Sequence, residues 1–227
     1  MKRAIVTGGS SGLGYACAEV IGSAGYQVTS LSRRNTSAPG VACLPLDLSN
    51  SREIDAMAAR LRSKGDKIDI LVNNAGISPA GRVQDFSEQD FDATMQVNFS
   101  AARLLIEGLR PLLQGGVVIN IVSRVGYEGR HGLCAYGVSK GMLIGYTQTI
   151  AAELAQDNVR IYGVNPGFII TGMVTEKAIA RQKGESLFGS VSDVHAAARF
   201  ILMLAQSEWS TGAIYDFDSR VYNGWHL

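Results

Sequence analysis

No stretch of this sequence comes near the roughly 20 consecutive apolar residues that a membrane-spanning helix needs. The first residues, Met1 to Gly8, include basic side chains but no apolar run as long as that of a secretory signal. From these absences we expect a cytoplasmic protein that has no membrane partner.

Cysteine, histidine and unbalanced charge are also scarce. The three cysteines, Cys17, Cys43 and Cys134, lack metal-site spacing and cannot all pair with one another, and the three histidines are scattered. We therefore interpret the cysteines as reduced, mostly buried residues and expect no metal site. Lysine and arginine number 21 against 20 for aspartate and glutamate, which gives no electrostatic reason to expect nucleic acid or an acidic membrane as partner.

Short β-rich runs alternate with longer helical patterns, which is typical of a parallel sheet with helices on both faces. The 227 residues are 46% apolar, enough for one α/β domain with a sizeable core, and no linker or repeat divides residues 1–227. We predict strands at Lys2–Thr7, Gln27–Leu31, Val41–Leu44, Ile68–Val72, Val117–Val122, Val159–Val164 and Ala213–Phe217. We predict helices at Leu13–Ala24, Ser51–Lys64, Ala135–Ala155, Val194–Ala205 and Glu88–Leu113, the last bent or ended near Pro111.

A glycine-rich loop connects the first predicted strand to the first predicted helix. Gly8, Gly12 and Gly14 permit positive φ angles and the close backbone approach that a pyrophosphate needs, and the following helix offers free N–H groups and a positive dipole. The alternative is an ordinary tight turn. The strand before the loop and the amphipathic helix after it favour a dinucleotide site.

Further motifs follow this loop in a fixed order. They are Asp47 after the third strand, Asn73-Asn74-Ala75-Gly76 after the fourth, Asn98 in the long helix, Ser123 after the fifth strand, Tyr136-Gly137-Val138-Ser139-Lys140, and Asn165-Pro166-Gly167 after the sixth. In these motifs, over nearly its whole length, the chain resembles the short-chain dehydrogenase/reductase family, and within it the 3-oxoacyl-(acyl carrier protein) reductases. The resemblance implies a single Rossmann-type, doubly wound α/β domain with seven parallel strands and an active site at their carboxyl edge. It also implies a homodimer or homotetramer.

The resemblance assigns residues to a bound dinucleotide. Asp47 would contact its adenine side, Asn74 would line the cleft, and Thr171 would contact the nicotinamide end. The full predicted set is Gly8, Ser10, Ser11, Gly12, Leu13, Gly14, Ser32, Arg33, Arg34, Asp47, Leu48, Asn74, Ala75, Gly76, Tyr136, Lys140, Pro166, Gly167, Ile169 and Thr171.

The same resemblance makes Ser123, Tyr136 and Lys140 catalytic, with Asn98 holding a water in a proton relay. Carbonyl reduction needs a proton at oxygen, and a tyrosine has an unperturbed pKa of about 10. Lys140 lies one helical turn beyond Tyr136, so we expect its ammonium to lower the pKa of the phenol. Ser123 would hold the substrate oxygen near that phenol. The alternatives are a solvated Tyr–Lys pair at the surface and an asparagine that binds nearby backbone.

The end of the second predicted strand indicates the type of dinucleotide. Proteins that bind NAD usually carry a carboxylate there for the ribose hydroxyls. This chain has Ser32 followed by Arg33 and Arg34. Guanidinium groups bind a 2′-phosphate in bidentate fashion, so we expect NADP(H) rather than NAD(H), the alternative being two solvated loop arginines.

Two departures from the acyl carrier protein reductases concern the substrate. Gln114 and Asp157 stand where those enzymes tend to carry basic residues, and a carboxylate there would repel an acidic partner. The predicted substrate lid, about residues 172–189, is somewhat short. Arg130 and His131 could meet a polar or anionic substrate group, although a solvated loop is the favoured interpretation. The pocket candidates, for which core packing is an equal alternative, are Val125, Tyr127, Leu133, Phe168, Met173, Phe188 and Trp225.

The sequence thus predicts an NADP(H)-dependent oxidoreductase that acts on a small-molecule carbonyl compound or secondary alcohol. The alternative is a non-catalytic NADP(H)-binding sensor or scaffold, which would be expected to lose the tyrosine or the lysine. Epimerases and dehydratases of nucleotide sugars fit less well, because they have a different glycine spacing and a longer C-terminal part.

Overall fold

A computed structural model describes residues 1–36, 38–170 and 176–220. The strands are β1 (Arg3–Thr7), β2 (Gln27–Leu31), β3 (Ala42–Leu44), β4 (Ile70–Asn73), β5 (Val117–Ile121), β6 (Arg160–Asn165) and β7 (Ile214–Asp216). The α-helices are α1 (Gly12–Ser23), α2 (Ser51–Lys64), α3 (Glu88–Met95), α4 (Ala101–Leu109), α5 (Val125–Glu128), α6 (Cys134–Ala155), α7 (Glu176–Glu185) and α8 (Val194–Gln206).

All strands of the sheet run parallel, in the order β3-β2-β1-β4-β5-β6-β7. The chain passes from β1 outward to β3 and then returns to place β4 on the other side of β1. The direction of winding therefore changes between β1 and β4, and in such sheets the crevice outside the carboxyl ends of these two strands is where ligands bind. The predicted doubly wound, seven-stranded parallel α/β fold is confirmed.

The central strands explain why the chain folds around this sheet. All residues of β4 and β5 are buried, as expected of strands that are covered on both faces. One apolar layer joins the sheet to α1 and α8, and the other joins it to α2, α4 and the end of α6. Side chains cap the starts of several helices, with Asn50 accepting from the backbone of α2 and Asp193 from that of α8.

The predicted helix Glu88–Leu113 is the largest difference from the sequence prediction. It is a run of α3, a π-helical turn at Gln96–Ser100 and α4, followed by a 3₁₀ turn at Arg110–Leu112 that contains Pro111. The expected end near Pro111 is correct, whereas the π-helical turn was not anticipated. The short helices α5 and α7 were not predicted either, and α7 occupies much of the expected lid, of which residues 172–175 lie outside the described residues.

None of the helices in the described part of the chain combines the length and the apolar character that crossing a bilayer requires.

Candidate active site

The glycine loop lies where β1 and β4 separate. Gly8 has a φ of 69°, and Gly14 is packed so closely that an added Cβ would overlap the Gly8 carbonyl and the Asn74 amide. A side chain at position 14 would therefore displace backbone rather than a flexible group. The loop is a cradle that only glycine can form, which is what close approach to a pyrophosphate requires.

The start of α1 fits the phosphates of a dinucleotide. Its N-cap residue Ser11 has extended backbone angles but makes no side-chain capping bond, and the first turn contains no acidic residue. The N-termini of α2, α3 and α8 are each capped by a side chain. The first N–H groups of α1, which include that of Leu13, thus face the loop without a competing carboxylate, and Ser10 lies within the loop itself.

Thr7 organises this crevice, although the sequence prediction gave it no role. Its hydroxyl donates to the Val72 carbonyl at 3.4 Å and accepts from the backbone N–H groups of Asn74 at 2.9 Å and Ala75 at 3.0 Å. The Asn74 side chain returns a bond to the Thr7 carbonyl at 3.0 Å. Asn74 and Ala75 are thereby fixed beside Gly8, as their predicted place in the cleft requires. The available signal was a hydroxyl residue directly before the first loop glycine.

The three predicted contacts at the end of β2 differ in their exposure to solvent. Ser32 is buried, and its hydroxyl donates to the Arg34 carbonyl at 2.6 Å, so it shapes the turn from inside. Arg33 and Arg34 are exposed, and among the described residues neither has an ion-pair partner. Their guanidinium groups are thus available to an anion at the edge of the crevice.

Asp47 and Leu48 lie on the adenine side of this predicted site. Two hydrogen bonds from Ser49, at 3.0 and 2.8 Å, lower the pKa of the Asp47 carboxyl, and the positive charge of Arg33 lowers it further. Leu48 is buried and lines a small cavity together with Ala75 and Asn98. Arg33 and Asp47 are therefore close enough to interact, as a shared dinucleotide site needs.

The predicted catalytic residues are brought together at the carboxyl end of β5. Ser123 lies two residues after this strand, and Tyr136 and Lys140 occupy the first turns of α6. The Ser123 hydroxyl is close enough to the Tyr136 hydroxyl to lower the pKa of that phenol. The Lys140 ammonium lies 5.7 Å from the centre of the Tyr136 ring and donates to the Ile121 carbonyl at 2.6 Å. The Tyr136 phenol and the Lys140 amine thus lie on one face of α6, beside the Ser123 hydroxyl.

The protonation of this pair differs from the sequence expectation. Burial raises the pKa of the Tyr136 phenol, and the nearby Ser123 hydroxyl only partly offsets this rise. Burial also lowers the pKa of the Lys140 ammonium from 10.5 to about 8. The prediction that Lys140 lowers the pKa of Tyr136 is therefore wrong for this structure, because loss of hydration acts on both groups and the amine is directed at a carbonyl.

Asn98 is buried in the π-helical turn and binds protein groups on both sides of its amide. Its oxygen accepts from the Ile77 N–H at 2.8 Å, and its nitrogen donates to the Ile77 carbonyl at 2.8 Å and to the Ser139 hydroxyl at 3.0 Å. Ser139 in turn donates to the Tyr136 carbonyl at 2.7 Å. Asn98 therefore positions the loop after β4 and the helix that carries Tyr136. A role in holding water stays a prediction.

Gly76 joins the crevice to the catalytic group. A Cβ at this position would lie 3.2 Å from the Asn98 oxygen and 3.8 Å from the Lys140 nitrogen. The predicted cofactor residues after β4 and the predicted catalytic residues are therefore parts of one continuous site.

The remaining predicted contacts follow β6. Pro166 is buried, and Gly167 has a φ of 72° in a turn closed by a bond from its N–H to the Asn165 side chain at 3.2 Å. Ile169 packs against the layer formed with α1 and α8. Thr171 lies outside the described residues, as do the pocket candidates Met173 and Trp225.

The other substrate-side residues have mixed outcomes. Val125, Tyr127, Leu133 and Phe168 are partly buried, whereas Phe188 is 81% exposed. Arg130 pairs with Glu185 at 3.2 Å, and His131 is exposed. Gln114 is exposed, and Asp157 forms an ion pair with Arg110 at 2.5 Å. That pairing offsets the repulsion of an acidic partner that Asp157 alone would cause.

Comparisons with known proteins agree with this geometry. A family model described as short chain dehydrogenase matches residues 2–182. Carbonyl reductase family member 4 of Xenopus laevis is 31% identical over 231 aligned residues, and a 3-oxoacyl-[acyl-carrier-protein] reductase of Thermotoga maritima is 32% identical over 237, each covering 96% of both chains. A blue fluorescent protein from a metagenomic library, solved in complex with NADPH, superposes with a TM-score of 0.87 at 25% identity, over 96% of this chain and 97% of that one.

Proposed function

The chain belongs to the short-chain dehydrogenase family, an oxidoreductase family, and from this premise we propose that it is an NADP(H)-dependent carbonyl reductase or alcohol dehydrogenase. Its substrate is a small molecule with a carbonyl or secondary alcohol group. The observation that carries the proposal is the placement of Ser123, Tyr136 and Lys140 together at the carboxyl end of β5, next to a crevice that fits a dinucleotide.

The chain's own groups divide the work at the substrate oxygen. The glycine loop, the start of α1 and the residues after β4 would hold the dinucleotide, whose nicotinamide would supply or accept the hydride. Ser123 donates a hydrogen bond to the substrate oxygen and keeps it beside Tyr136. Tyr136 gives its proton to that oxygen in reduction and takes one from it in oxidation.

The raised pKa of Tyr136 favours one direction at neutral pH. The phenol is protonated in this state and so is ready to act as an acid, which is the role that reduction requires. Lys140, with a pKa of about 8, carries most of its positive charge at pH 7. Its positive charge lies 5.7 Å from the centre of the Tyr136 ring, beside the place proposed for the substrate oxygen.

The preference for NADP(H) is supported by charge at the end of β2. Arg33 and Arg34 are exposed, and the position that would carry a carboxylate in an NAD site is a buried serine. A 2′-phosphate would meet two guanidinium groups and no opposing acid at that position. The NADPH complex of the structurally similar metagenomic protein supports the same preference.

The test is NADPH oxidation with a panel of aldehydes and ketones, followed by the near-ultraviolet absorbance of the reduced nicotinamide. Tyr136→Phe removes only the acidic hydroxyl and should lower kcat by at least about a hundredfold, the lower end of the usual contribution of a general acid, while NADPH still binds. Tyr26→Phe, at the opposite edge of the sheet, is the matched control and should behave like the wild type. Binding of NADPH without reduction of any carbonyl would instead indicate a sensor, and activity that survives Tyr136→Phe would refute the assigned acid.

A further inference from the structure

A second cavity lies beside the catalytic residues, with a volume of about 370 Å³. It is an open cavity lined by α5, the end of α7 and the segment after β7. Its size lies within the range of small-molecule sites, which is roughly 300 to 1,000 Å³. Its wall is unusually charged for such a site, since it includes Arg124, Arg130, Arg220, Glu128 and Glu185.

Two residues that line the cavity adjoin the catalytic residues. Arg124, which lines it, directly follows Ser123 in the chain. Val125, another lining residue, packs against Gly137, the neighbour of Tyr136: its Cγ1 lies 3.3 Å from the position of a Cβ there. The cavity therefore lies along the segment that follows the catalytic serine and packs against the helix that carries Tyr136.

Three guanidinium groups crowd one carboxylate at this cavity. Glu185 alone serves three guanidinium groups, those of Arg130 at 3.2 Å, Arg181 at 3.8 Å and Arg220 at 3.9 Å. We name this set the arginine cluster and include the neighbouring Arg124–Glu128 and Arg220–Asp218 pairs. Among the described residues it holds four arginines and three carboxylates, and Arg181 lies outside the cavity lining. The members are Arg124, Arg130, Arg181, Arg220, Glu128, Glu185 and Asp218.

The crowding affects Arg130 in particular. Burial lowers the pKa of its guanidinium, and the like charges of Arg181 and Arg220 lower it further. Arg124 is also buried, with its Nε 2.5 Å from the Glu128 carboxylate. Arg130 shares the Glu185 carboxylate with two other guanidinium groups. Such a partly dehydrated group gains from an additional oxyanion, because a charge-assisted hydrogen bond is strongest where water is excluded.

We propose that the arginine cluster binds an anionic group, a carboxylate or a phosphate, at the far end of the substrate that Tyr136 reduces. The inference rests on the proposed function and specifies its substrate class: carbonyl compounds that carry an oxyanion within reach of the cavity. Arg130 is the main contact, because it is only partly buried and lines the cavity. Glu185 competes with the substrate for Arg130.

The experiment compares anionic substrates with matched neutral ones. The carboxylate probes are 4-oxopentanoate and its homologues longer by one to three carbons, each beside its methyl ester. The phosphate probe is dihydroxyacetone phosphate beside dihydroxyacetone. In one of the two series we expect kcat/KM to be higher for the anion by about tenfold or more, the effect of one hydrogen bond to a charged group, and the series that responds identifies the oxyanion.

Two variants test the cluster in opposite directions. Arg130→Gln should reduce the ratio of anion to neutral kcat/KM towards one, whereas Glu185→Gln should increase it, because it removes the competing carboxylate. Arg52→Gln, an exposed arginine at the start of α2, is the control and should leave the ratio unchanged. NADPH binding by each variant verifies that it is folded.

The outcomes separate this inference from the proposed function. Equal kcat/KM for anionic and neutral members of both series overturns the inference while the reductase assignment stands. If the two variants change the ratio in the same direction, or not at all, the arginine cluster only fastens α7, and the inference is again wrong. If no carbonyl compound is reduced, the proposed function fails and this inference fails with it.

Discussion

Replacing Lys140 by methionine should remove activity and at the same time stabilise the protein at neutral pH. The side chain is 3% exposed, and burial lowers the pKa of its ammonium from 10.5 to about 8. Methionine has similar length and no charge to dehydrate. Lys140→Met should lower turnover by at least about a hundredfold, as loss of a group that supports proton transfer does.

The size and sign of the stability effect follow from the two pKa values. Below pH 8 the amine is protonated in both states, and burying its charge disfavours the folded state by about 3 kcal/mol. Between pH 8 and 10.5 the unfolded chain still binds the proton and the folded protein does not. The free energy of unfolding of the wild type should therefore rise through this window. The variant lacks this rise, so its advantage is largest below pH 8 and shrinks as the pH increases.

Urea unfolding of the protein without cofactor at pH 7 and pH 10 measures this difference. The lost hydrogen bond to Ile121 lowers the advantage by about 1 kcal/mol, which leaves the variant more stable by about 2 kcal/mol at pH 7. The lost hydrogen bond lowers the stability of the variant at both pH values. The change with pH in the stability difference between variant and wild type therefore reports the Lys140 charge alone. Lys64→Met, at the exposed end of α2, is the control and should show no such change. A stability difference that is independent of pH would refute the reasoning.

Three further predictions concern the dinucleotide site. Arg33→Ala should raise the Kd of NADPH by about ten- to a hundredfold, which is the contribution of a hydrogen bond to a charged group. The Kd of NADH should change little. Equal increases of both Kd values in fluorescence titrations would refute the NADP(H) assignment. Ser32→Asp should not create an NAD site but should lower the free energy of unfolding by about 1 to 3 kcal/mol, because an ionised carboxylate cannot donate to the Arg34 carbonyl. An unchanged midpoint of urea unfolding together with tighter NADH binding would contradict this prediction. Gly14→Ala should abolish binding of both NADPH and NADH. It should also lower the free energy of unfolding by roughly 1 to 3 kcal/mol, since the new Cβ overlaps backbone atoms. Retained NADPH binding would show that the loop tolerates a side chain at this position.

The sheet and the glycine loop could be predicted because local patterns determine them. The apolar runs of β4 and β5 and the loop between β1 and α1 each carry their signal within a few residues. The π-helical turn has no such signal, since the apolar spacing of residues 88–113 continues through it. It is specified by contacts to Ile77 and Ser139, which are distant in sequence.

The sequence predicts which residues form the site, but it does not predict the direction of their pKa changes. Tyr136 and Lys140 are one helical turn apart in any helix, so their proximity follows from spacing. The direction of their pKa changes depends on how much water the fold removes, which no spacing reveals. The arginine cluster likewise required the fold, because Glu185 and Arg220 reach Arg130 from elements far along the chain.

The bonding of Thr7 has a consequence for how a ligand enters. A hydroxyl has one proton and two lone pairs, and in Thr7 all three are taken by the backbone of residues 72, 74 and 75. The distance between the ends of β1 and β4 is thereby set during folding, before a dinucleotide arrives. The dinucleotide then binds to a preorganised crevice. The conformational entropy lost in ordering the ends of β1 and β4 is part of folding, so it does not weaken the affinity for the dinucleotide.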